Sequence, residues 1–169
     1  MSPDQQGVRP IRAVVDTSSL VPANLRRDLQ QAAQLGAFIA IWSPWIIAEL
    51  NRVLVWRWIV DPPTGIAAGD LSQRNQRRCS EAAKTMMQWL VPSFELVNPL
   101  PPYPPVWASL SDAWDHPIWA AAKMGQAQYV ISENTHDFPP RSGDGRAIHE
   151  GVEYIQGAPF LAMLSGALE

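Results

Sequence analysis

Short, continuous apolar runs alternate with segments of helical periodicity along this chain, and this alternation limits its fold more than any other feature. The first run covers residues 11 to 16 and is apolar except for Arg12 and the terminal Asp16. A run without polar alternation is typical of a strand covered on both faces, as in a parallel sheet. Further strands are predicted over residues 37–42, 94–97, 128–132 and 152–156.

Helical segments fill most of the intervals between these strands. A turn at residues 17–19 precedes a helix for which Asn24 is a suitable N-cap, and Gly36 would end that helix. Ser43 as N-cap, followed by Pro44, predicts the start of the next helix. Helices are therefore predicted over residues 24–35, 45 to about 57, 71–91, about 115–125 and 158–165.

Two segments between the regular elements have distinct compositions. Residues 61–69 contain prolines and glycines that should break the helical pattern, so residues 45–91 are predicted to form a helical hairpin. Residues 98–105 contain five prolines, which remove backbone donors and restrict the preceding residues, so we expect a rigid extended loop. A polar, glycine-containing loop is predicted at residues 141–145.

The order of these elements predicts the fold class. Strands that alternate with helices imply an α/β protein with a three-layer α/β/α sandwich and a central, mainly parallel sheet. The length of 169 residues and the hydrophobic content of 47% are sufficient for one domain with its own core. We expect a single domain over residues 1–169, with its core at about 11–156.

Charge and cysteine content say more about the cellular compartment of the protein than about its activity. A formal net charge of −3 does not indicate a nucleic-acid binder, although an acidic site can mask basic surface elsewhere. The single cysteine, Cys79, excludes an intramolecular disulfide framework, and the sequence shows no signal-peptide pattern. No apolar stretch approaches the ~18 residues needed to span a bilayer. We therefore expect a cytoplasmic protein without a membrane partner.

Acidic residues occur where a parallel α/β sheet would bring them to one edge. Asp16 ends the first strand, and Asn134 follows the strand at 128–132. Glu49 would reach the same edge from one helix, and Asp115 from the first turn of another. Ligands of open parallel sheets bind outside the carboxyl ends of the strands, where the strand order reverses. These four residues are therefore the candidate catalytic set.

Carboxylates gathered without matching positive charge raise one another's pKa unless a cation joins them. Hard oxygen ligands suit Mg²⁺ or Mn²⁺, so Asp16, Glu49, Asp112 and Asp115 are candidate metal ligands. A divalent cation at such a site supports hydrolysis of a phosphodiester by activating water and neutralising charge on the phosphoryl oxygens. Two ions are compatible with this pattern, and the sequence does not determine their number.

Structural roles compete with these functional ones. Asp16 could cap the turn that follows it, Glu49 could be a solvated helix residue, and either Asp112 or Asp115 should cap the helix at 116–125. Asp137 is better explained as a residue that fixes its loop, and is a secondary candidate for the site. Two hydroxyl residues, Ser18 and Ser132, are secondary candidates for orienting a metal ion or a phosphate.

Four segments resemble the motifs of the PIN domain family, in the same order and spacing. They are Val14–Ser18, Ala48–Leu50, Asp112–Ala122 and Val130–Pro139. The chain is most similar to the VapC-like group of toxins from toxin-antitoxin systems, which are Mg²⁺- or Mn²⁺-dependent ribonucleases.

This resemblance assigns roles to single residues. It implies that Asp16, Glu49 and Asp115 are the principal metal-binding acids and that Asp112 matches an acid often found three residues before the third. Asn134 matches a fourth position, where many members have aspartate and others asparagine. The resemblance also implies an antitoxin protein as a partner. It further implies that the chain forms a homodimer or a higher homo-oligomer.

RNA as a substrate requires positive charge near the acids. The most basic part of the chain, residues 52–84, includes Arg52, Arg74, Arg77 and Arg78, which could form a phosphate-binding strip or a solvated helix face. The eight tryptophans, among them Trp56, Trp58 and Trp114, could stack on unpaired bases, although most should serve the core or an interface.

Three other functions are alternatives to a ribonuclease. A PIN fold without catalysis would act as an RNA-binding or scaffold protein, and Asn134 leaves this possibility open. A metal-dependent adhesion module of the von Willebrand A type has an Asp-x-Ser-x-Ser motif, but Leu20 replaces its last serine here. A haloacid-dehalogenase-like phosphatase would need a second aspartate at position 18, which is Ser18. Phosphate-binding and dinucleotide-binding glycine motifs are absent from the sequence, so ATP and NAD are not expected as cofactors.

Overall fold

The computed structural model describes residues 10–61 and 68–166, and six strands within them form one sheet. The strands are β1 (Arg12–Val15), β2 (Ile39–Trp42), β3 (Phe94–Leu96), β4 (Tyr129–Ile131), β5 (Ala147–His149) and β6 (Val152–Ile155). Their order across the sheet is β3-β2-β1-β4-β6-β5. All neighbouring strands are parallel except β5 and β6, so the predicted mainly parallel sheet is confirmed.

Within the described residues, six α-helices accompany the sheet. They are α1 (Thr17–Leu20), α2 (Ala23–Gln34), α3 (Pro44–Val60), α4 (Gln73–Leu90), α5 (His116–Met124) and α6 (Gly157–Gly166). Helix α2 packs against α6, and α5 packs against both β1 and α3. Helices thus cover the sheet on its faces, as the predicted α/β/α fold requires. Among the described residues, none of these helices has both the length and the apolar character needed to cross a bilayer.

The predicted helix start is confirmed for α3, whereas the starts of α1 and α2 differ from the prediction. Ser43 caps α3, because its Oγ accepts a hydrogen bond from Ile46 N at 3.3 Å. Asn24 is not a cap: α2 begins at Ala23, after the extended Pro22, so Asn24 lies within the first turn. The predicted turn at 17–19 is the short helix α1, for which the side chain of Asp16 serves as N-cap.

Strand β5 was not predicted from the sequence. Its three residues follow the polar loop at 141–145 and pair antiparallel with β6, joined by a tight turn at Glu150 and Gly151 with positive φ angles of 45° and 81°. Of the three, only Ala147 is fully buried. A short edge strand with little burial has almost no hydrophobic pattern, so its pairing depends on the neighbouring strand.

The predicted helical hairpin is formed by α3 and α4, which pack against each other. Its predicted break at 61–69 falls largely on residues 62–67, which lie outside the described residues. Helix α4 is capped by Ser72, whose Oγ accepts from Asn75 N at 3.3 Å. The proline-rich residues 98–105 are irregular, as predicted, and Pro105 O accepts a hydrogen bond from Trp119 Nε1 at 2.8 Å.

The strand order reverses between β1 and β4. The chain passes from β1 outward to β2 and β3, then returns to place β4 on the other side of β1. The two central strands are in register at Val14 and Val130, and both residues are fully buried. The carboxyl ends of β1 and β4 are therefore adjacent at the point where open parallel sheets bind ligands.

Candidate metal centre

Asp16 lies at the carboxyl end of β1, at the strand-order reversal. Its backbone N–H donates to Ile131 O on β4 at 2.9 Å, and its side chain is 7% exposed. The carboxylate accepts three hydrogen bonds, from Thr17 N at 2.7 Å, Ser18 Oγ at 2.7 Å and Ser132 Oγ at 2.8 Å. Charge-assisted bonds of this kind fix the orientation of a carboxylate. Asp16 thus caps α1 and is also held at the centre of the site.

The two secondary serine candidates join the ends of β1 and β4. Ser18 Oγ and Ser132 Oγ are 3.0 Å apart, and both contact the same carboxylate oxygen of Asp16. Ser18 Oγ also accepts from Glu133 N at 2.9 Å, and Ser132 Oγ accepts from Asn134 N at 3.2 Å. The hydroxyls therefore connect the loop after β4 to the aspartate after β1.

Glu49 reaches the site from α3. Thr17 Oγ1 donates to Glu49 Oε2 at 2.9 Å, and Arg52 Nη2 lies 3.7 Å from Glu49 Oε1. Burial raises the pKa of Glu49, and the negative charges of Asp16 and Asp112 raise it further, while Thr17 and Arg52 oppose the shift. The solvated-helix explanation for Glu49 does not fit, because the carboxylate is half-buried and contacts the residue next to Asp16.

The largest pKa shift among the carboxylates of the site is that of Asp115. Burial is the largest cause, and repulsion from Asp137, Asp16 and Asp112 adds to it, so the pKa of Asp115 rises to about 7. A hydrogen bond with the Asp137 side chain acts in the same direction. Three carboxylates thus act on Asp115 across this edge of the sheet, which is the charge pattern expected at a site that binds a cation.

Asp112 caps the short 3₁₀ turn that precedes α5. Its Oδ1 accepts from Trp114 N at 2.9 Å, which fixes a 3₁₀ turn over Ala113–Asp115 immediately before α5. The prediction that one of the two aspartates caps the helix at 116–125 is therefore wrong: Asp112 caps the 3₁₀ turn before it, and Asp115, at the N-cap position of α5, makes no side-chain cap hydrogen bond. Its side chain is exposed, and it lines a pocket beside Glu49.

Asn134 and Asp137 belong to one loop after β4. The Asn134 side-chain amide donates to the Asp137 carboxylate, and His136 Nδ1 lies 3.3 Å from the other oxygen of Asp137. Asp137 is therefore held by its own loop, as predicted, and it also contacts Asp115. Asn134 is exposed and acts here through Asp137.

A small cavity of about 20 Å³ lies between these side chains, enough for one water molecule or one ion. Its polar wall is formed by Asp16, Asp115, Ser132, Asn134, Asp137 and Tyr154. Tyr154 is buried, and burial followed by repulsion from Asp115 and Asp16 raises the pKa of its phenol. Glu49 and Asp112 face the adjacent, more open pocket.

Two residues of this site were not found from the sequence. Thr17 orients Glu49, and its position next to Asp16 is a signal that could have been used. Tyr154 comes from β6, where an aromatic residue is ordinary in a strand, so only the position of β6 beside β4 brings it to the cavity.

The donor set fits a hard divalent cation. Asp16, Glu49 and Asp115 bring carboxylate oxygens to one edge of the sheet, in two adjacent pockets, and Mg²⁺ and Mn²⁺ prefer such ligands. Within residues 10–61 and 68–166, no three aspartate, glutamate, histidine or cysteine side chains are arranged so that they could hold a metal ion as they stand. The carboxylates are instead oriented by hydroxyl and carboxyl partners, which a cation would have to displace in part.

The four arginines proposed for RNA lie on the α3–α4 hairpin. Arg52 and Arg77 line an open groove of about 760 Å³ between the two helices, together with Trp56. Arg52 also lines the pocket that contains Glu49, so the groove and the acids are contiguous at this residue. Arg74 and Arg78 are exposed on α4 beside the groove.

Comparison with known families agrees with the geometry. The model of the PIN domain matches residues 12–136, which include β1 to β4 and the four predicted metal-binding acids Asp16, Glu49, Asp112 and Asp115. Neither a curated protein nor a solved structure matches the chain significantly. PIN domains are typically nucleases. With the matching segment, the parallel sheet and the acids at its edge, the chain belongs to the PIN domain family.

Proposed function

We propose that this protein is a Mg²⁺- or Mn²⁺-dependent endoribonuclease and the toxin of a toxin-antitoxin pair. The observation that carries the nuclease proposal is the gathering of Asp16, Glu49 and Asp115 at the carboxyl edge of the sheet, where burial and then the negative charges of Asp16 and Asp112 raise the pKa of both Glu49 and Asp115. Such a cluster is costly to a fold unless a bound cation offsets it, and hydrolysis of phosphodiesters is chemistry that such a cation supports.

The cation would be held by Asp16, Glu49 and Asp115, with Asp112 and Asn134 beside them. When bound, it would activate water and neutralise charge that develops on the phosphoryl oxygens. The protein's part is to hold these ligands in place. Ser18 and Ser132 fix Asp16, and Thr17 fixes Glu49, so both carboxylates are oriented before the substrate arrives.

RNA binding would use the groove between α3 and α4. Arg52 and Arg77 can contact backbone phosphates there, and Trp56, which is 62% exposed, offers an aromatic surface in the same groove. Arg74 and Arg78 would extend the positive surface along α4. Since the groove meets the acids at Arg52, a strand lying in it would bring a phosphodiester to the site.

A second candidate is a PIN-fold RNA-binding or scaffold protein without catalysis. It is supported by Asn134, which donates to Asp137 in place of presenting a fourth carboxylate. The adhesion module is set aside, because the chain belongs to the PIN domain family.

The first experiment is cleavage of a mixed pool of structured and single-stranded RNAs by the purified protein with Mg²⁺ or Mn²⁺. Parallel reactions contain EDTA, the Asp16→Asn variant, or Asp28→Asn as a matched control at an exposed acid on α2. Cleavage that is lost with EDTA and with Asp16→Asn but kept with Asp28→Asn supports the nuclease. RNA binding without cleavage in either metal supports the non-catalytic candidate.

The toxin role needs a cellular test. Induced expression should arrest growth with the natural sequence and not with Asp16→Asn, and a protein encoded beside the gene should relieve the arrest. Normal growth during expression of a protein that cleaves RNA in vitro would contradict the toxin role while leaving the nuclease intact. Gel filtration of the purified protein tests the expected assembly into a homodimer or higher homo-oligomer.

A further inference from the structure

A stacked pair of indole rings lies at the rim of the acidic site. Trp45 is near the start of α3, and Trp114 is in the 3₁₀ turn that leads to Asp115. Their ring centroids are 5.1 Å apart, with an angle of 30° between the ring planes. Trp114 is 66% exposed, so a large apolar surface faces solvent next to Glu49 and Asp112.

The pair forms one wall of a pocket that reaches the candidate metal ligands. The pocket has a volume of about 630 Å³, within the range of sites that hold small organic groups. Trp45, Ala48, Glu49, Arg52, Asp112 and Trp114 line it. A group that stacks on the indoles would therefore lie beside two carboxylates of the site.

Polar groups in this pocket match a nucleotide. Arg52 has a side chain that is 74% exposed and lies 3.7 Å from Glu49, so it can turn from the half-buried Glu49 carboxylate towards a phosphate. The pocket thus combines an aromatic face and a cation.

The stacking surface is held in place by its own turn. Asp112 Oδ1 accepts from Trp114 N at 2.9 Å, and Asp115 N donates to Asp112 O at 3.2 Å. A rigid aromatic surface loses little conformational entropy when a ligand binds, which favours a specific contact.

We propose that Trp45 and Trp114 form a stacking site for one unpaired nucleobase of the RNA, next to the phosphodiester that is cut, with Arg52 on a neighbouring phosphate. This inference rests on the proposed ribonuclease function, since it defines which strand that site accepts. A base in a duplex is covered by its neighbours on both faces, whereas an unpaired base can lie on the exposed indole. The pair therefore selects single-stranded RNA.

Binding without catalysis tests this site. A fluorescein-labelled single-stranded RNA of about ten nucleotides is titrated with protein in EDTA, and a duplex of the same sequence is titrated in parallel. Trp114→Ala should weaken binding of the single strand about tenfold, and Trp114→Phe should restore most of it. Trp89→Ala is the matched control, because Trp89 is 72% exposed on α4, away from this pocket's lining.

Three results would overturn the inference. They are unchanged binding by a folded Trp114→Ala variant, equal loss with Trp89→Ala, and duplex binding as tight as single-strand binding that also depends on Trp114. A change in self-association of Trp114→Ala with unchanged RNA binding would assign the surface to a protein interface and would also overturn it. Trp114-dependent binding by a protein that cuts no RNA with Mn²⁺ would support the stacking site and reject the nuclease.

Discussion

Ser132 Oγ donates a hydrogen bond to Asp16 Oδ2 at 2.8 Å across the carboxyl ends of two neighbouring parallel strands. These residues are 116 positions apart in the sequence, and both are buried. The contact joins the first and last motifs of the family at the strand-order reversal. It also gives a buried carboxylate one of the donors that it needs.

Replacement of Ser132 by alanine should lower stability, because a buried carboxylate oxygen of Asp16 would lose a donor. A hydrogen bond to a charged group contributes about 1.5–3 kcal/mol, and Ser18 can compensate for part of the loss. We expect the free energy of unfolding to fall by about 1–2 kcal/mol in urea titrations. Ser109→Ala, at an exposed serine, is the control. Equal midpoints for the two variants would show that this contact adds nothing.

Metal affinity should depend on Thr17, although Thr17 is not a ligand in the proposal. Thr17→Val keeps the shape of the side chain and removes the hydroxyl that orients Glu49. Loss of a residue that orients a ligand typically weakens metal binding about 10- to 100-fold. Calorimetric titration with Mn²⁺ measures this change. Thr17→Ser should restore affinity, and a Thr17→Ser variant as weak as Thr17→Val would point to packing instead.

The stability of the metal-free protein should fall as the pH rises from about 4 to about 7. The pKa of Asp115 is raised from 3.8 to about 7, so the folded state binds this proton more tightly than the unfolded state. The stabilisation from that proton is complete below the unfolded pKa and is lost as the pH passes the folded pKa.

Asp115→Asn should remove most of this pH dependence, and the smaller contribution from the raised pKa of Glu49 should remain. In EDTA at pH 8 we expect the variant to be more stable than the natural protein by about 1–2 kcal/mol, allowing for partial solvent screening. Near pH 4 the two should unfold at similar urea concentrations. Parallel stability curves over the whole range would contradict the raised pKa.

Single-stranded RNA binding should depend on Arg52 and Arg77 through charge. Each arginine that contacts a phosphate releases counterions, so Arg52→Ala and Arg77→Ala should each reduce the slope of log affinity against log salt by about 0.7. Fluorescence anisotropy at several salt concentrations, with EDTA present, gives the slopes. Arg27→Ala, at an exposed arginine on α2, should leave the slope unchanged. Identical slopes for all three would place the RNA elsewhere.

Local patterns in the sequence were enough for most elements and for the identity of the candidate acids. The uninterrupted apolar residues of β1 require burial on both faces, and Ser43 with Pro44 defines a helix start through short-range bonds. These features depend on neighbours a few residues away. Asn24 shows the limit of such rules, since Pro22 begins the helix earlier without it. Strand β5 shows another limit, because its pairing with β6 rather than its own pattern makes it a strand.

Only the tertiary structure determines which role each polar residue of the site has. Sequence spacing indicated that Asp112 or Asp115 would cap the helix at 116–125. In the structure, Asp115 is partly buried and contacts Asp137. Asp112 instead accepts a hydrogen bond from the backbone N–H of Trp114. The hydrogen bond from Thr17 to Glu49 and the stacking of Trp45 on Trp114 join different parts of the chain. Such relationships depend on distances and dielectric environment that arise when the strands and helices pack, and a linear pattern does not contain them.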